Sequence, residues 1–228
     1  MGSRRACVLA LFLSFALLRS VCAQAPEKPS GSSSSRQAHP AAKLPKQPAH
    51  GDSPDLGSIH EGVYRNVAFG ISYKIPYGWV QRTDSMREGN ASQPEKSYVL
   101  LAIFERPPEA TGDSVNSAVV ITAENLSEYP GMDQAIDYFD ELDQIATSKG
   151  FKVLNPPYEF PIGTKKLARG DYSKKIAEDV TMYQGSLVML QKGYVISFTF
   201  IAGSEDELES LIMDLTLGSS GKRPVTPK

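Results

Sequence analysis

Cysteine, histidine and tryptophan are scarce in this chain of 228 residues, which has two cysteines, three histidines and one tryptophan. Both cysteines, Cys7 and Cys22, lie within the first 23 residues. If that segment is removed, the rest of the chain has no thiol for a disulfide, a thiolate metal site or a cysteine nucleophile. Such a domain depends on its hydrophobic core alone, and a chain of this size can bury a large enough one.

The three histidines are poorly placed to serve in the common hydrolytic mechanisms. His39 and His50 lie in a stretch rich in proline and serine, and His60 is followed by Glu61. A catalytic triad or a helical zinc site needs a histidine held in place, and the zinc motif needs a second one. The Gly-x-Ser-x-Gly motif of hydrolases is also missing. We therefore predict that the protein is not an enzyme and uses no cofactor.

Neither sign of charge is in large excess over the whole chain, where 24 basic and 26 acidic residues give a formal charge of -2. The distribution is uneven, because residues 59–217 hold 14 basic and 23 acidic residues, a formal charge of -9. An acidic domain repels phosphate backbones and anionic lipids. We therefore predict no nucleic-acid partner.

The first 23 residues have the pattern of a signal peptide. Arg4 and Arg5 precede an apolar stretch, and Val21 and Ala23 suit a cut before Gln24. The apolar stretch is too short to span a bilayer, so no integral membrane span is expected after cleavage. We predict a secreted protein, or one that stays in the periplasm or cell envelope.

Two alternatives to ordinary cleavage are lipidation of Cys22 and a retained signal anchor. A lipoprotein signal usually has leucine three residues before the cysteine and a small residue directly before it. Arg19 and Val21 occupy those positions here. The pattern favours ordinary cleavage over lipidation.

Composition separates two further segments from the domain. Residues 24–58 are rich in proline, serine, alanine and glycine, including four consecutive serines from Ser32 to Ser35. Such a segment buries little apolar surface and is predicted to be a disordered linker. Residues 218–228 are predicted to be a short, disordered basic tail. Residues 59–217 are then one globular domain.

Short strands punctuated by glycine and proline dominate residues 59–217. Tyr98–Phe104 and Ser117–Ala123 are nearly continuous apolar runs, typical of central strands covered on both faces. Val180–Leu190 and Tyr194–Ile201 are predicted to form a hairpin. Strands do not alternate regularly with helices, so we expect an α+β fold on a largely antiparallel sheet. Further strands are predicted at residues 63–66, 71–75, 79–82, 151–154, 158–162 and 166–173.

Two amphipathic helices are predicted. Asp133–Lys149 has an apolar stripe and an acidic opposite face, and Gly150 ends it. Ser204 opens the second helix, with Glu207 three residues later in the pattern of a capping box. The acidic face is a candidate for weak cation binding, although a solvated helix face has the same pattern. The stripe consists of Met132, Ala135, Ile136, Phe139, Leu142, Ile145 and Ala146.

The stretch Tyr64–Val80, YRNVAFGISYKIPYGWV, resembles the opening of PsbP-like domains. There an aromatic-glycine strand leads through a proline turn into Gly-Trp, and the order of later elements is similar over residues 63–217. The resemblance implies an α/β/α sandwich on an antiparallel sheet, used as a non-enzymatic accessory or binding module. Photosynthetic members assist the oxygen-evolving complex, and bacterial relatives are exported. The landmarks carried over are Phe69, Gly70, Pro76, Gly78 and Trp79, none of them catalytic.

The aromatic residues around the Gly-Trp turn are the candidate binding residues. Trp79, Tyr73 and Tyr77 would form a patch for a protein partner if they are exposed. The competing interpretation is that Trp79 packs against the edge of the core. We predict an exported accessory module that binds an unknown protein partner. A small-ligand or cation-binding domain is the first alternative, and a hydrolase with two convergent carboxylates is the second.

Two asparagines, Asn90 and Asn125, match the N-glycosylation sequon. They carry glycans only in a host that modifies such sites. Ordinary loop asparagines are the other interpretation, and both remain open.

Overall fold

Two antiparallel sheets and three α-helices make up residues 53–89 and 97–218, the part of the chain that this computed structural model describes. The predicted signal peptide, Cys22, Asn90, most of the predicted linker and nearly all of the basic tail lie outside the described residues. The strands are β1 (Ser58–His60), β2 (Val63–Asn66), β3 (Ile71–Lys74), β4 (Val80–Gln81), β5 (Ser97–Phe104), β6 (Ala118–Asn125), β7 (Lys152–Val153), β8 (Tyr158–Ile162), β9 (Lys165–Lys175), β10 (Thr181–Gln191), β11 (Tyr194–Ala202) and β12 (Leu215–Leu217). The helices are α1 (Thr83–Gly89), α2 (Phe139–Ser148) and α3 (Glu205–Met213), and short 3-10 turns cover Leu126–Glu128 and Ala135–Tyr138.

The main sheet has eight strands in the order β4-β5-β6-β11-β10-β9-β7, with β8 also paired to β9. Every pair in it is antiparallel. A smaller antiparallel sheet has the order β1-β2-β3-β12, and so joins the start of the domain to its end. The predicted α+β class with a largely antiparallel sheet is confirmed.

The predicted hairpin between β10 and β11 is confirmed. The two strands pair from Tyr183↔Ala202 to Gln191↔Tyr194. Lys192 and Gly193 form the two-residue turn with φ of 53° and 78°. Positive φ at both positions is what a type I′ turn requires, and its twist matches that of the strands.

One face of the main sheet packs against α3 and the smaller sheet. Phe198 and Phe200 of β11 point to this face and are fully buried. The ring of Tyr73, from β3, lies 6.2 Å from the ring of Phe200, and its hydroxyl donates to the carbonyl of Leu211 in α3 at 3.2 Å. Strand β3 and α3 are therefore locked to each other over the same part of the core.

The opposite face packs against α2 and the 3-10 turn before it. Phe139, Leu142 and Ala146 of α2 are buried, and Tyr138 at the end of the turn is buried with them. The main sheet thus has helices on both sides, with the smaller sheet sharing one outer layer. This arrangement is the α/β/α sandwich that the sequence predicted.

The helix predicted over Asp133–Lys149 begins later than expected. The α-helix starts at Phe139, and Ala135–Tyr138 forms the 3-10 turn instead. The carboxylate of Asp137 accepts the backbone N–H groups of Asp133 at 3.2 Å and Gln134 at 3.0 Å, which satisfies donors at the start of the turn. Because the 3-10 turn has fewer residues per turn, Ile136 leaves the predicted stripe and is exposed.

Helix α1 was not predicted, because its seven residues carry no apolar stripe. It lies along the edge of β5, where Arg87 donates to the carbonyls of Val99 at 2.8 Å and Leu100 at 3.2 Å. The hydroxyl of Thr83 accepts the N–H of Ala102 at 3.0 Å. The helix therefore satisfies backbone groups that an open sheet edge would expose.

Helix α3 begins as predicted. The Ser204 side chain accepts the N–H of Glu207 at 3.2 Å, and the Glu207 carboxylate accepts the N–H of Gly203 at 2.9 Å. Across residues 53–89 and 97–218, none of the helices is both long and apolar enough to cross a membrane.

Gly170→Ala should destabilise the domain because the added Cβ would lie 2.6 Å from Cε1 of Phe139. Overpacking of this kind costs about 1–3 kcal/mol, which urea denaturation would measure as a lower midpoint. Gly185→Ala is the matched control on the neighbouring strand, since its Cβ would meet Ile212 at an ordinary 3.4 Å. An equal loss of stability in the two variants would contradict the role given to Phe139.

Candidate functional site

The three aromatic residues proposed as a binding patch have different surroundings. Tyr77 is fully exposed, Trp79 is half-buried against the core, and Tyr73 is 0% exposed. Tyr73 cannot belong to a surface patch, because β3 alternates and places Ile71 and Tyr73 on the core side. The exposed aromatic group at this turn is therefore Tyr77.

Backbone hydrogen bonds fix the turn that carries Tyr77. We call residues 76–79 the Tyr77 turn. On the strand side, the N–H of Ile75 donates to the carbonyl of Gly62 at 2.8 Å. Within the turn, the N–H of Trp79 donates to the carbonyl of Pro76 at 3.3 Å. Tyr77 is thus held out to solvent between two anchored, partly buried residues, Ile75 and Trp79.

A carboxyl group that the sequence analysis did not single out is buried on the α2 side of the main sheet. Glu124, near the end of β6, is 2% exposed. It accepts hydrogen bonds from the hydroxyls of Tyr129 and of Tyr138, the latter at 3.2 Å. The two rings are 5.6 Å apart, so all three side chains form one unit, which we call the Glu124 cluster.

Burial dominates the electrostatics of this cluster. It raises the pKa of Glu124 to about 7, although the hydrogen bonds from Tyr129 and Tyr138 oppose the shift. Repulsion from Glu141 on α2 adds to the rise in pKa. Burial likewise raises the pKa of both tyrosines, so they remain proton donors. The cluster fastens the segment between β6 and α2 to the sheet.

No sequence signal identified Glu124. It follows the apolar run of β6, where a charged residue normally marks the exposed end of a strand. Tyr129 and Tyr138 lie five and fourteen positions further on, with two 3-10 turns between β6 and α2. Only the folded path of this segment brings the hydroxyls to the carboxylate.

Two carboxylates do converge elsewhere, on the buried Arg169 of β9. Its guanidinium donates to Asp171 at 2.9 Å and to both carboxylate oxygens of Glu209 on α3. The Tyr158 hydroxyl donates to the other oxygen of Asp171 at 2.9 Å, and the Phe160 ring lies 4.8 Å from the guanidinium carbon. The arginine occupies the space between the acids, so this group ties β8 and α3 to β9.

The acidic residues proposed for cation binding do not gather. Asp137 is used at the start of its turn, and Asp140 is exposed. Among residues 53–89 and 97–218, no three His, Cys, Asp or Glu side chains are grouped to hold a metal ion. His60 is exposed and lies 3.8 Å from the Glu61 carboxylate. Asn125 accepts the N–H of Ser127 and caps the 3-10 turn that follows.

Comparison with solved structures finds similar proteins at low identity. Cyanobacterial PsbP (CyanoP) from Synechocystis sp. PCC 6803 is 13% identical with a TM-score of 0.45, over 72% of this chain and 99% of that chain. LpqN of Mycobacterium tuberculosis, involved in cell envelope biogenesis, is 16% identical with a TM-score of 0.35, over 64% and 82%. The Saccharomyces cerevisiae Ran-binding protein Mog1p is 12% identical with a TM-score of 0.37, over 66% and 81%.

No family model matches the chain, and no curated protein matches it. A PsbP is among the structures to which the chain is similar, but these identities and TM-scores assign it to no family. Membership of the PsbP family therefore stays a prediction from the sequence.

Glu124 should make the stability of the domain depend on pH. Its pKa rises from an ordinary 4.5 to about 7 on folding, so the folded state holds the proton more tightly. The free energy of unfolding should therefore fall as the pH rises from about 4.5 to 7, by on the order of 3 kcal/mol, and then level off. Thermal denaturation over this range would measure the slope.

Glu124→Gln should flatten that slope because the amide cannot ionise. Glu88→Gln, at an exposed carboxyl of α1, is the control that should keep it. An unchanged slope in Glu124→Gln would show that the carboxyl is not the titrating group.

Proposed function

We propose that this protein is an exported, non-catalytic accessory module that binds a protein partner through the Tyr77 turn. The observation that carries the proposal is the full exposure of Tyr77 on a turn whose flanking residues are anchored. The exported state and the PsbP-like family are part of the proposal and rest on the sequence.

A fixed, exposed tyrosine suits recognition for two reasons. Its ring offers a large apolar contact area with a hydroxyl at the tip, and it has only two side-chain torsions to immobilise. The turn is already held by the Ile75–Gly62 and Trp79–Pro76 hydrogen bonds, so little further ordering is needed on binding. Tyrosines in such positions often contribute much of the binding energy of an interface.

The charge of the domain affects the rate at which it associates with a partner. Residues 59–217 carry a formal charge of -9, so a basic partner would be attracted at long range. Such attraction affects the association rate more than the affinity, and it weakens with added salt.

Tyr77→Ala should abolish specific capture of the partner by the mature chain, residues 24–228, in an affinity pull-down from extract of its native host. Removing an exposed ring leaves the core unchanged, so the variant should unfold at the same urea concentration as the wild type. Val67→Ala is the matched control, because Val67 is another exposed apolar side chain on a turn. If Tyr77→Ala retains the same partner, the Tyr77 turn is not the binding surface.

Export has its own test. When the full chain is expressed with its leader in a Gram-negative host, N-terminal sequencing of the periplasmic protein should begin at Gln24. Ordinary cleavage depends on the small residues at the cut, so Cys22→Ser should leave both the start and the yield unchanged. Loss of processing in Cys22→Ser, or fatty acid on Cys22, would establish lipidation instead.

A further inference from the structure

The connection between β6 and α2 is held to the main sheet mainly by two side chains. We call residues 126–138 the connecting segment. Of its side chains, only those of Tyr129 and Tyr138 are buried. At its start, the N–H of Leu126 donates to the carbonyl of Gly193, in the β10–β11 turn, at 2.9 Å. The N–H of Tyr129 donates to the carbonyl of Leu126, inside the connecting segment, at 3.0 Å.

Both buried tyrosines end on one carboxyl group. The hydroxyls of Tyr129 and Tyr138 donate to different oxygens of Glu124, which lies at the end of β6 just before the connecting segment. The ring of Tyr138 also packs edge to face against Phe139, the first residue of α2, with 6.5 Å between the ring centres. The protonation state of Glu124 therefore affects both attachments of the connecting segment at once.

The groups that face Glu124 come from four elements. Strands β5 and β11 place Ser97 and Val195 directly opposite it, and neither of these side chains ionises at ordinary pH. The connecting segment supplies the two tyrosine hydroxyls. Helix α2 supplies the carboxyl of Glu141, whose negative charge repels that of Glu124.

A second tyrosine–carboxyl pair lies beside the Glu124 cluster. The hydroxyl of Tyr172, on β9, donates to Asp143 of α2 at 2.6 Å. Tyr172 is close enough to Tyr138 for the two hydroxyls to interact electrostatically. None of the groups named around Glu124 is a cation. An ionised Glu124 therefore has hydrogen-bond donors from these groups but no opposite charge among them.

Ionisation of Glu124 should therefore weaken the closed arrangement of the connecting segment. Burial raises the pKa of Glu124 to about 7, whereas water reaches the carboxyl once the segment lifts and the pKa returns toward the ordinary 4.5. The equilibrium constant for opening should rise about tenfold per pH unit between these two values, about 300-fold in all, and then level off. A segment with few buried side chains can open while the rest of a domain stays folded.

We propose that the connecting segment is a pH-sensitive flap, which is closed over the main sheet while Glu124 is protonated and opens, with the domain still folded, when Glu124 ionises. Opening releases Tyr129 and Tyr138 and uncovers the end of β6. The flap is separate from the Tyr77 turn, so the proposal depends neither on a partner nor on export.

The test is hydrogen exchange, followed by NMR on the isotope-labelled mature chain, residues 24–228, between pH 5 and 8. Each exchange rate is divided by the intrinsic rate of a free amide at the same pH. The ratio for the amides of Leu126 and Tyr129 should rise about 70-fold over this range. Adding 1 M urea should leave that ratio unchanged, because local opening exposes little surface. Amides of Gly185 and Phe200, in the middle of the main sheet, should exchange more slowly and respond to urea.

Three variants identify the titrating group. Glu124→Gln cannot ionise, so the dependence of the ratio on pH should disappear. Tyr138→Phe removes a donor that favours the ionised carboxylate, so the rise should continue above pH 7 before it levels off. Glu141→Gln is the matched control, because Glu141 is a nearby carboxyl whose pKa is also raised by burial. This control should keep the rise and level off at a slightly lower pH.

Three results would overturn the proposal. The first is a ratio for Leu126 and Tyr129 that does not change with pH. The second is a urea dependence equal to that of Gly185, which would mean that the connecting segment opens only when the whole domain unfolds. The third is a rise that persists in Glu124→Gln. If Glu124→Gln does not fold, an unchanged levelling-off point in Tyr138→Phe would contradict the proposal instead.

Discussion

The structure depends on burying both faces of β11, the strand at the centre of the main sheet. It pairs along its length with β6 on one side and β10 on the other. Phe198 and Phe200 require an apolar cover, which α3 and the smaller sheet provide, and Val195 and Ile201 require a cover on the other side. Most other elements can be understood as parts of these two covers.

The two faces of the main sheet bury different kinds of side chain. The face toward α3 is mostly closed with aromatic and aliphatic side chains, with the buried Arg169 and its carboxylate partners at one side, and it has the most to contribute to stability. The face toward α2 contains a buried carboxyl, two tyrosine hydroxyls, several small hydroxyls and an amide. Buried polar groups reduce the net stability gained from packing unless every one is satisfied. The α2 face therefore contributes less to stability than the α3 face does.

Periodicity was sufficient to predict the elements that have long, regular patterns. The β10–β11 hairpin, the apolar β5 and β6 strands, and α3 with its Ser204 cap were all visible in the sequence. Helix α1 and strand β12 were not, because seven and three residues are too few for a pattern to show. Alternation along β3 already placed Tyr73 with Ile71, so the burial of Tyr73 was predictable. The surroundings of Glu124 depend on the path of the chain between β6 and α2, which no local sequence pattern encodes.

The pairing of β12 with β3 has a consequence for how the chain is made. Ile71 pairs with Leu217, so the first and last parts of the domain meet in one small sheet. During synthesis, β3 cannot pair with β12 until nearly the whole domain has been made. Contacts between such distant residues slow folding. The domain thus stays incompletely folded until β12 has been made, and an incompletely folded chain is narrower than the folded domain.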